Sequence, residues 1–158
     1  MIVRGPDIKT GSRCNVNVVG YDFLPTFVDL AGGSVEKLRD IDGASISPLL
    51  KGKEDKKLAN RFLYFHYPHH RNTAPHSVVL QGDLKYFRFY EQPGSHYLYN
   101  LKYAIGETEN IAGQNKATVA RLSKEMDRYP TAGKAYLPKP NPDAPADYKP
   151  YDPDKGWD

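Results

Sequence analysis

Between Phe62 and Asn100 the chain alternates short aromatic and β-branched runs with turn-forming residues, and this pattern narrows the choice of fold sharply. Phe62-Leu63-Tyr64-Phe65-His66-Tyr67 is one run and stops at Pro68. Val78-Val79-Leu80 is a second, Leu84 to Tyr90 a third and His96 to Asn100 a fourth. Gln81-Gly82-Asp83 and Glu91-Gln92-Pro93-Gly94-Ser95 separate the last three. Runs this short, joined by turns this tight, pair with their sequence neighbours as antiparallel strands. The expectation is a four-stranded antiparallel meander with aromatic and β-branched residues at alternate positions.

Two helical patterns flank that stretch. From Tyr21 to Ala31, the residues Phe23, Leu24, Phe27, Val28, Leu30 and Ala31 recur at spacings of three and four. Pro25 falls in the first turn and Gly32-Gly33 forms the stop. This helix is apolar around so much of its circumference that it needs cover on more than one side. Ala117 to Tyr129 carries a narrower stripe of Val119, Ala120, Leu122 and Met126, suited to one face of the sheet, with Pro130 expected to end it. Ser45 to Leu50 reads as a single turn capped by Ser47, with Pro48 in the first position. Ile2-Val3 is a short apolar segment that, as a strand, would need neighbours to pair with. From Leu137 onward Pro, Asp and Lys dominate, which leaves an extended or disordered strap for Tyr148, Tyr151 and Trp157 to pin. The expected division is 1–58, then 59–136 with its helix at 117–129, then a tail over 137–158.

Charge and apolar content exclude several classes. The 158 residues suit one ordinary domain, and the 22 basic residues are scattered among 19 acidic ones. A nucleic-acid binder concentrates its basic residues in a stripe, so no nucleic-acid partner is expected. No apolar run reaches membrane-spanning length, and Met1 to Pro6 has no apolar core of a secretory leader. The single cysteine, Cys14, cannot close an internal disulfide.

Five stretches then read as one ordered series. They are MIVRGP at Met1–Pro6; YDFLPT at Tyr21–Thr26 running into LAGG at Leu30–Gly33; DG at Asp42–Gly43 with SISPLL at Ser45–Leu50 and Gly52; VLQGDLKY at Val79–Tyr86; and YLYNL at Tyr97–Leu101 with GETENIA at Gly106–Ala112. In this order, over roughly residues 1–128, they resemble the C-terminal portion of the sulfatase family within the alkaline-phosphatase-like superfamily. The resemblance implies an α/β fold, α+β in this segment: edge elements of the main sulfatase domain, then the small four-stranded antiparallel sheet packed with a C-terminal helix. It implies that the complete enzyme is a sulfuric ester hydrolase using calcium and a formylglycine nucleophile, periplasmic or secreted. Both groups would lie upstream of this chain. The family's nucleophile stands in a Cys/Ser-x-Pro-x-Arg motif, and Cys14, followed by Asn15, Val16, Asn17 and Val18, does not match it. No cofactor is therefore expected in this chain, which by itself is expected to be inactive.

His66, His69, His70 and His76 fall within eleven positions, at a strand end and in the loop after it. Metal binding is one reading, although the spacing matches no zinc pattern and no Cys or carboxylate accompanies it. The resemblance suggests another. The segment from His66 to Arg71 would lie on a loop facing the substrate cleft, where His66, His69, His70 and Arg71 offer donors and a guanidinium to a sulfated sugar. The third reading is that Tyr67-Pro68 merely ends a strand and the histidines are solvated or packed. Asp40 and Asp42 suit a turn before Gly43 better than an acid–base pair.

Two functions remain open on these residues. One is the C-terminal part of a sulfatase, which packs against an upstream catalytic domain and walls the cleft for a sulfated carbohydrate or aryl sulfate. The alternative is a non-catalytic binding module for an anionic or sulfated glycan. In either case the apolar helix from Tyr21 predicts self-association of the isolated chain.

Overall fold

The aromatic runs do pair in sequence order. The computed structural model describes residues 1–70, 73–133 and 135–151. Strands β1 (Leu63–Tyr67), β2 (His76–Gln81), β3 (Leu84–Phe89) and β4 (Tyr97–Asn100) form one antiparallel sheet in the order β1-β2-β3-β4. Gln81 pairs with Leu84 across a two-residue turn in which Gly82 has φ +55°. That left-handed conformation is open to glycine without strain, and it matches the right-handed twist of the strands on either side.

The register sorts side chains onto two faces. Tyr64, Val79, Tyr86 and Leu98 lie in one cross-strand row. Above that row packs helix α4 (Lys116–Gly133), whose Val119, Leu122 and Met126 are buried against Val79, Tyr86 and Leu98. Burial of three such side chains contributes on the order of 1.5–3 kcal/mol each. Ala120, placed on the same stripe by sequence, is exposed. Pro130 does not end the helix, which continues to Gly133. Proline removes one N–H from the ladder, and so near a terminus the loss is confined to a single bond. On the opposite face Ala74, Phe89, Tyr97 and Tyr99 form a second cluster, joined by Phe87 and by Tyr151 of the tail.

The chain divides into two compact units, Met1–Arg61 and Phe62–Asp158. The first contains α1 (Phe23–Leu30), α2 (Ser47–Leu50) and α3 (Lys56–Asn60), with 3-10 turns at Gly20–Asp22 and Val35–Lys37. Its core is small: Ile46, Leu49 and Leu58, with Val16, Val18, Ala44 and Leu50 packed against them. Ile2-Val3 forms no strand, and Ile2 is fully exposed. No neighbouring strand is available to it within this unit. Helix α2 starts at Ser47 itself, and the hydroxyl that receives the Ser47 N–H is that of Ser45. Among the described residues no helix is long and apolar enough to cross a membrane.

Helix α1 turns its polar side inward. Pro25 and Thr26 are buried, while Leu24, Phe27 and Leu30 are each more than half exposed. The Thr26 hydroxyl donates to the Asp22 carbonyl at 2.6 Å and accepts from the Ile46 amide at 3.0 Å. Ser45 donates to Asp29 at 2.5 Å. These bonds lay the 44–47 segment along the helix. Gly43 makes the approach feasible, because a Cβ there would stand 2.0 Å from the Tyr21 carbonyl oxygen.

Candidate functional site

The end of the sheet where β1 finishes and β2 begins gathers the histidines. His66 lies opposite Ser77, and Tyr67 opposite His76. Because successive side chains in a strand alternate faces, His66 projects with Ser77 toward α4, and His76 with Tyr67 toward the other face.

His66 is held on both ring nitrogens. Its Nε2 lies 2.6 Å from the Tyr136 carbonyl, which can only accept, so Nε2 carries the proton. Its Nδ1 then accepts from Ser77 Oγ at 2.7 Å, and Ser77 in turn accepts from the Tyr90 hydroxyl at 2.7 Å. Ser77 is buried, and the His66 ring meets Tyr90 edge-on at 6.0 Å. This Tyr90–Ser77–His66–Tyr136 chain fastens β1, β2, the end of β3 and the tail to one another.

His70 sits on the following loop and pairs with Glu91, Nε2 to Oε1, at 2.6 Å. The other oxygen of Glu91 accepts from the Tyr148 hydroxyl at 2.7 Å. Burial pushes the Tyr148 phenol up to about 12, and the adjacent Glu91 carboxylate adds to the shift. The tail is further held by the bond from Gln92 Nε2 to the Tyr151 carbonyl and by Tyr151 against Phe89 at 5.8 Å. Trp157, the third aromatic assigned to pinning the tail, lies outside the described residues.

His69 is exposed and stands edge-on to Tyr67 at 6.2 Å. Arg71 lies outside the described residues. His76 is packed among Tyr67, Phe87 and Phe89, with its Nδ1 2.8 Å from the Ala74 carbonyl. Burial pushes its pKa down, and the bond to Ala74 only partly offsets this. The sheet end thus presents His69 and His70 outward, holds His66 in place and keeps His76 in an aromatic wall.

Ser77, Tyr90 and Glu91, which complete this arrangement, carried no sequence signal beyond their place at strand ends. A hydroxyl or carboxylate that orients a histidine comes from a neighbouring strand or turn, so pairing must be known before it can be found. Among the described residues no group of three or more His, Cys, Asp or Glu side chains is arranged to hold a metal ion. Cys14 is an exposed free thiol. Cys14, followed by Asn15, Val16, Asn17 and Val18, stands outside the Cys/Ser-x-Pro-x-Arg motif. Asp40 adopts φ +55° in its loop, the left-handed geometry of a turn residue.

A family model described as N-sulphoglucosamine sulphohydrolase, C-terminal, matches residues 1–131. An N-acetylglucosamine-6-O-sulfatase of Bacteroides thetaiotaomicron is 34% identical over 131 residues, which cover 80% of this chain and 23% of that protein. An N-acetylglucosamine-6-sulfatase of Bos taurus is 42% identical over 52 residues, 33% of this chain and 9% of that protein. Among solved structures, Ps i-CgsB matches with a TM-score of 0.56 and 26% identity, covering 68% of this chain and 23% of that one. A protein solved in complex with its substrate D-glucosamine-2-N,6-O-disulfate matches with a TM-score of 0.54 and 26% identity, covering 70% of this chain and 24% of that one. The chain thus spans about a quarter of the length of these longer matches.

Proposed function

We propose, since the chain belongs to the N-sulphoglucosamine sulphohydrolase C-terminal family, that it completes a sulfuric ester hydrolase by packing against an upstream catalytic domain and walling its substrate cleft. The observation that carries this reading is the outward apolar row of α1, with Leu24 53%, Phe27 64% and Leu30 53% exposed, in a chain that spans 23% of its bacterial relative. A row of that kind marks an interface. The upstream domain would supply calcium and the formylglycine, and this chain's residues would bind and orient substrate without reacting.

The substrate class proposed is a sulfated amino sugar, as in the bacterial relative's name and the disulfated glucosamine bound by the structural neighbour. Within this chain the contacts proposed are His69 and His70 on the loop and Arg71, next to them in sequence, with His66 as the anchor at the loop's base. Imidazolium and guanidinium groups suit sulfate oxygens through charge-assisted hydrogen bonds. The full-length enzyme is proposed to be periplasmic or secreted.

The test is sulfate release from glucosamine-6-sulfate by the enzyme that carries this segment. Changing His69 and His70 together to Ala is expected to raise KM about tenfold with little change in kcat, as for loss of a charged hydrogen bond made in ground and transition state alike. An unchanged KM would remove the loop from the substrate site. The 158-residue chain alone is expected to give no turnover of an aryl sulfate. Turnover there would overturn the assignment of catalysis to the upstream domain.

A further inference from the structure

Away from the histidine cluster, a groove of about 630 Å³ runs along α4, with Lys116, Ser123 and Lys124 on the helix, His96 before β4 and Gly113 in the turn ahead of α4. The directions of its hydrogen bonds determine what it can bind. Tyr86 has no exposed surface, and its hydroxyl lies 2.7 Å from His96 Nδ1. A buried hydroxyl proton needs an acceptor. The Arg88 guanidinium beside Tyr86 can only donate, so the proton goes to His96 Nδ1. His96 then carries its own proton on Nε2, the nitrogen left for the groove.

Arg88 sets the other polar groups in the same way. It donates to Ser123 Oγ at 2.7 Å, which leaves the serine proton free to donate, and to Asp127 Oδ1 at 2.6 Å, which sets a positive charge against the carboxylate on the groove's rim. Apart from that paired carboxylate the polar lining consists of donors: two ammonium groups, an imidazole N–H and a hydroxyl. The floor is apolar, built from Ala112 and Val119. Gly113 adds no side chain, and a Cβ there would meet nothing within 4 Å.

We propose that this groove binds an anionic saccharide chain at a second position, apart from the His69–His70 loop. Lys116 and Lys124 are separated by roughly 12 Å along the helix axis, at 1.5 Å per residue. Such spacing suits a chain with repeated anionic groups better than one small ion. The apolar floor suits the C–H face of a sugar ring. The inference rests on the sulfated-glycan reading above for its choice of saccharide.

The test uses the 158-residue chain and a size-defined heparin oligosaccharide, with the same oligosaccharide chemically desulfated as a second arm. Changing Lys116 and Lys124 together to Gln is expected to weaken heparin binding about tenfold, and His96→Gln several-fold. Arg at both lysine positions should retain affinity. Changing Lys53 and Lys57 together to Gln removes equal charge elsewhere and is expected to alter binding less than twofold. Equal losses in the two Lys-to-Gln pairs, or no loss on changing Lys116 and Lys124, would overturn the groove. Retained binding of the desulfated arm assigns carboxylates as the recognised anion, and its loss assigns sulfates. Loss of binding only on changing His69 and His70 to Ala would overturn the groove while leaving the loop proposal standing. Loss only on changing Lys116 and Lys124 would do the reverse.

Discussion

Arg61 grips Asp22 through two parallel hydrogen bonds, Nη1 to Oδ1 at 2.7 Å and Nη2 to Oδ2 at 2.5 Å, and Asp22 has no exposed surface. The same carboxylate accepts from the amides of Val19 at 2.9 Å and Ala44 at 3.1 Å. One side chain therefore joins the start of α1, the segment before α2 and the last residue of the first unit. Removing the guanidinium leaves a carboxylate buried without its counter-charge, so Arg61→Ala is expected to cost about 3–5 kcal/mol. With so small an apolar core in this unit, urea denaturation should show an early transition in the variant. A midpoint equal to wild type would refute the linking role.

Acid should act through the same pair. Burial pushes the Asp22 carboxyl up, but the bond from Arg61, the amides of Val19 and Ala44 and the arginine charge outweigh it and hold the group below its ordinary 3.8. A carboxylate depressed in the folded state contributes stability above its unfolded pKa, and that contribution is lost as pH falls through the folded value. The first unit should thus weaken below about pH 4. In Asp22→Asn, already weaker at neutral pH, this part of the acid dependence should disappear.

Gly43 is required by packing. With 2.0 Å between its ideal Cβ and the Tyr21 carbonyl, Gly43→Ala must displace backbone. The expected loss is about 1–3 kcal/mol in thermal or urea unfolding. A loss below that of an ordinary surface substitution would show that the loop yields freely.

The tail should come away in strong base. The phenol of Tyr148, raised to about 12, is neutral where it donates to Glu91. A group raised in the docked state contributes below its undocked pKa, near 10, and the contribution is lost as pH rises through 12. Absorbance titration should show a late tyrosine component, to which the half-buried Tyr64 also contributes, that shrinks by one phenol in Tyr148→Phe and moves earlier in Glu91→Gln. Proteolysis of the tail should also accelerate in both variants.

The outward row of α1 predicts association of the isolated chain. Phe27, 64% exposed, stands in that row between Leu24 and Leu30. Light scattering should find oligomers of the wild-type chain and a shift toward monomer in Phe27→Glu. A monomeric wild type would argue against an unfilled interface.

Local pattern made the meander legible. Strand runs, Gly82 and the α4 stripe are properties of neighbours in sequence, and so the sheet order followed from short connections. Pro130 and Ser47 misled for local reasons: Pro130 lies near enough to a helix end to be tolerated, and the hydroxyl that receives the Ser47 N–H belongs to Ser45, two residues before the expected cap. The partners of the polar groups were not legible. Asp22 and Arg61 are separated by 39 positions, His66 and Tyr136 by 70, and Arg88 and Ser123 by 35.

The sequence by itself thus determined the sheet, the helices that precede and follow it along the chain, and the resemblance carried by Asp22–Gly33, Asp42–Gly52 and Tyr97–Ala112, because periodicity and turn chemistry act over a few residues. Only the tertiary structure decided which face of α1 is buried, which histidine is held and which is presented, and which way the donors along α4 point. Those outcomes depend on hydrogen bonds and ion pairs that close over long stretches of chain, and no local signal encodes them.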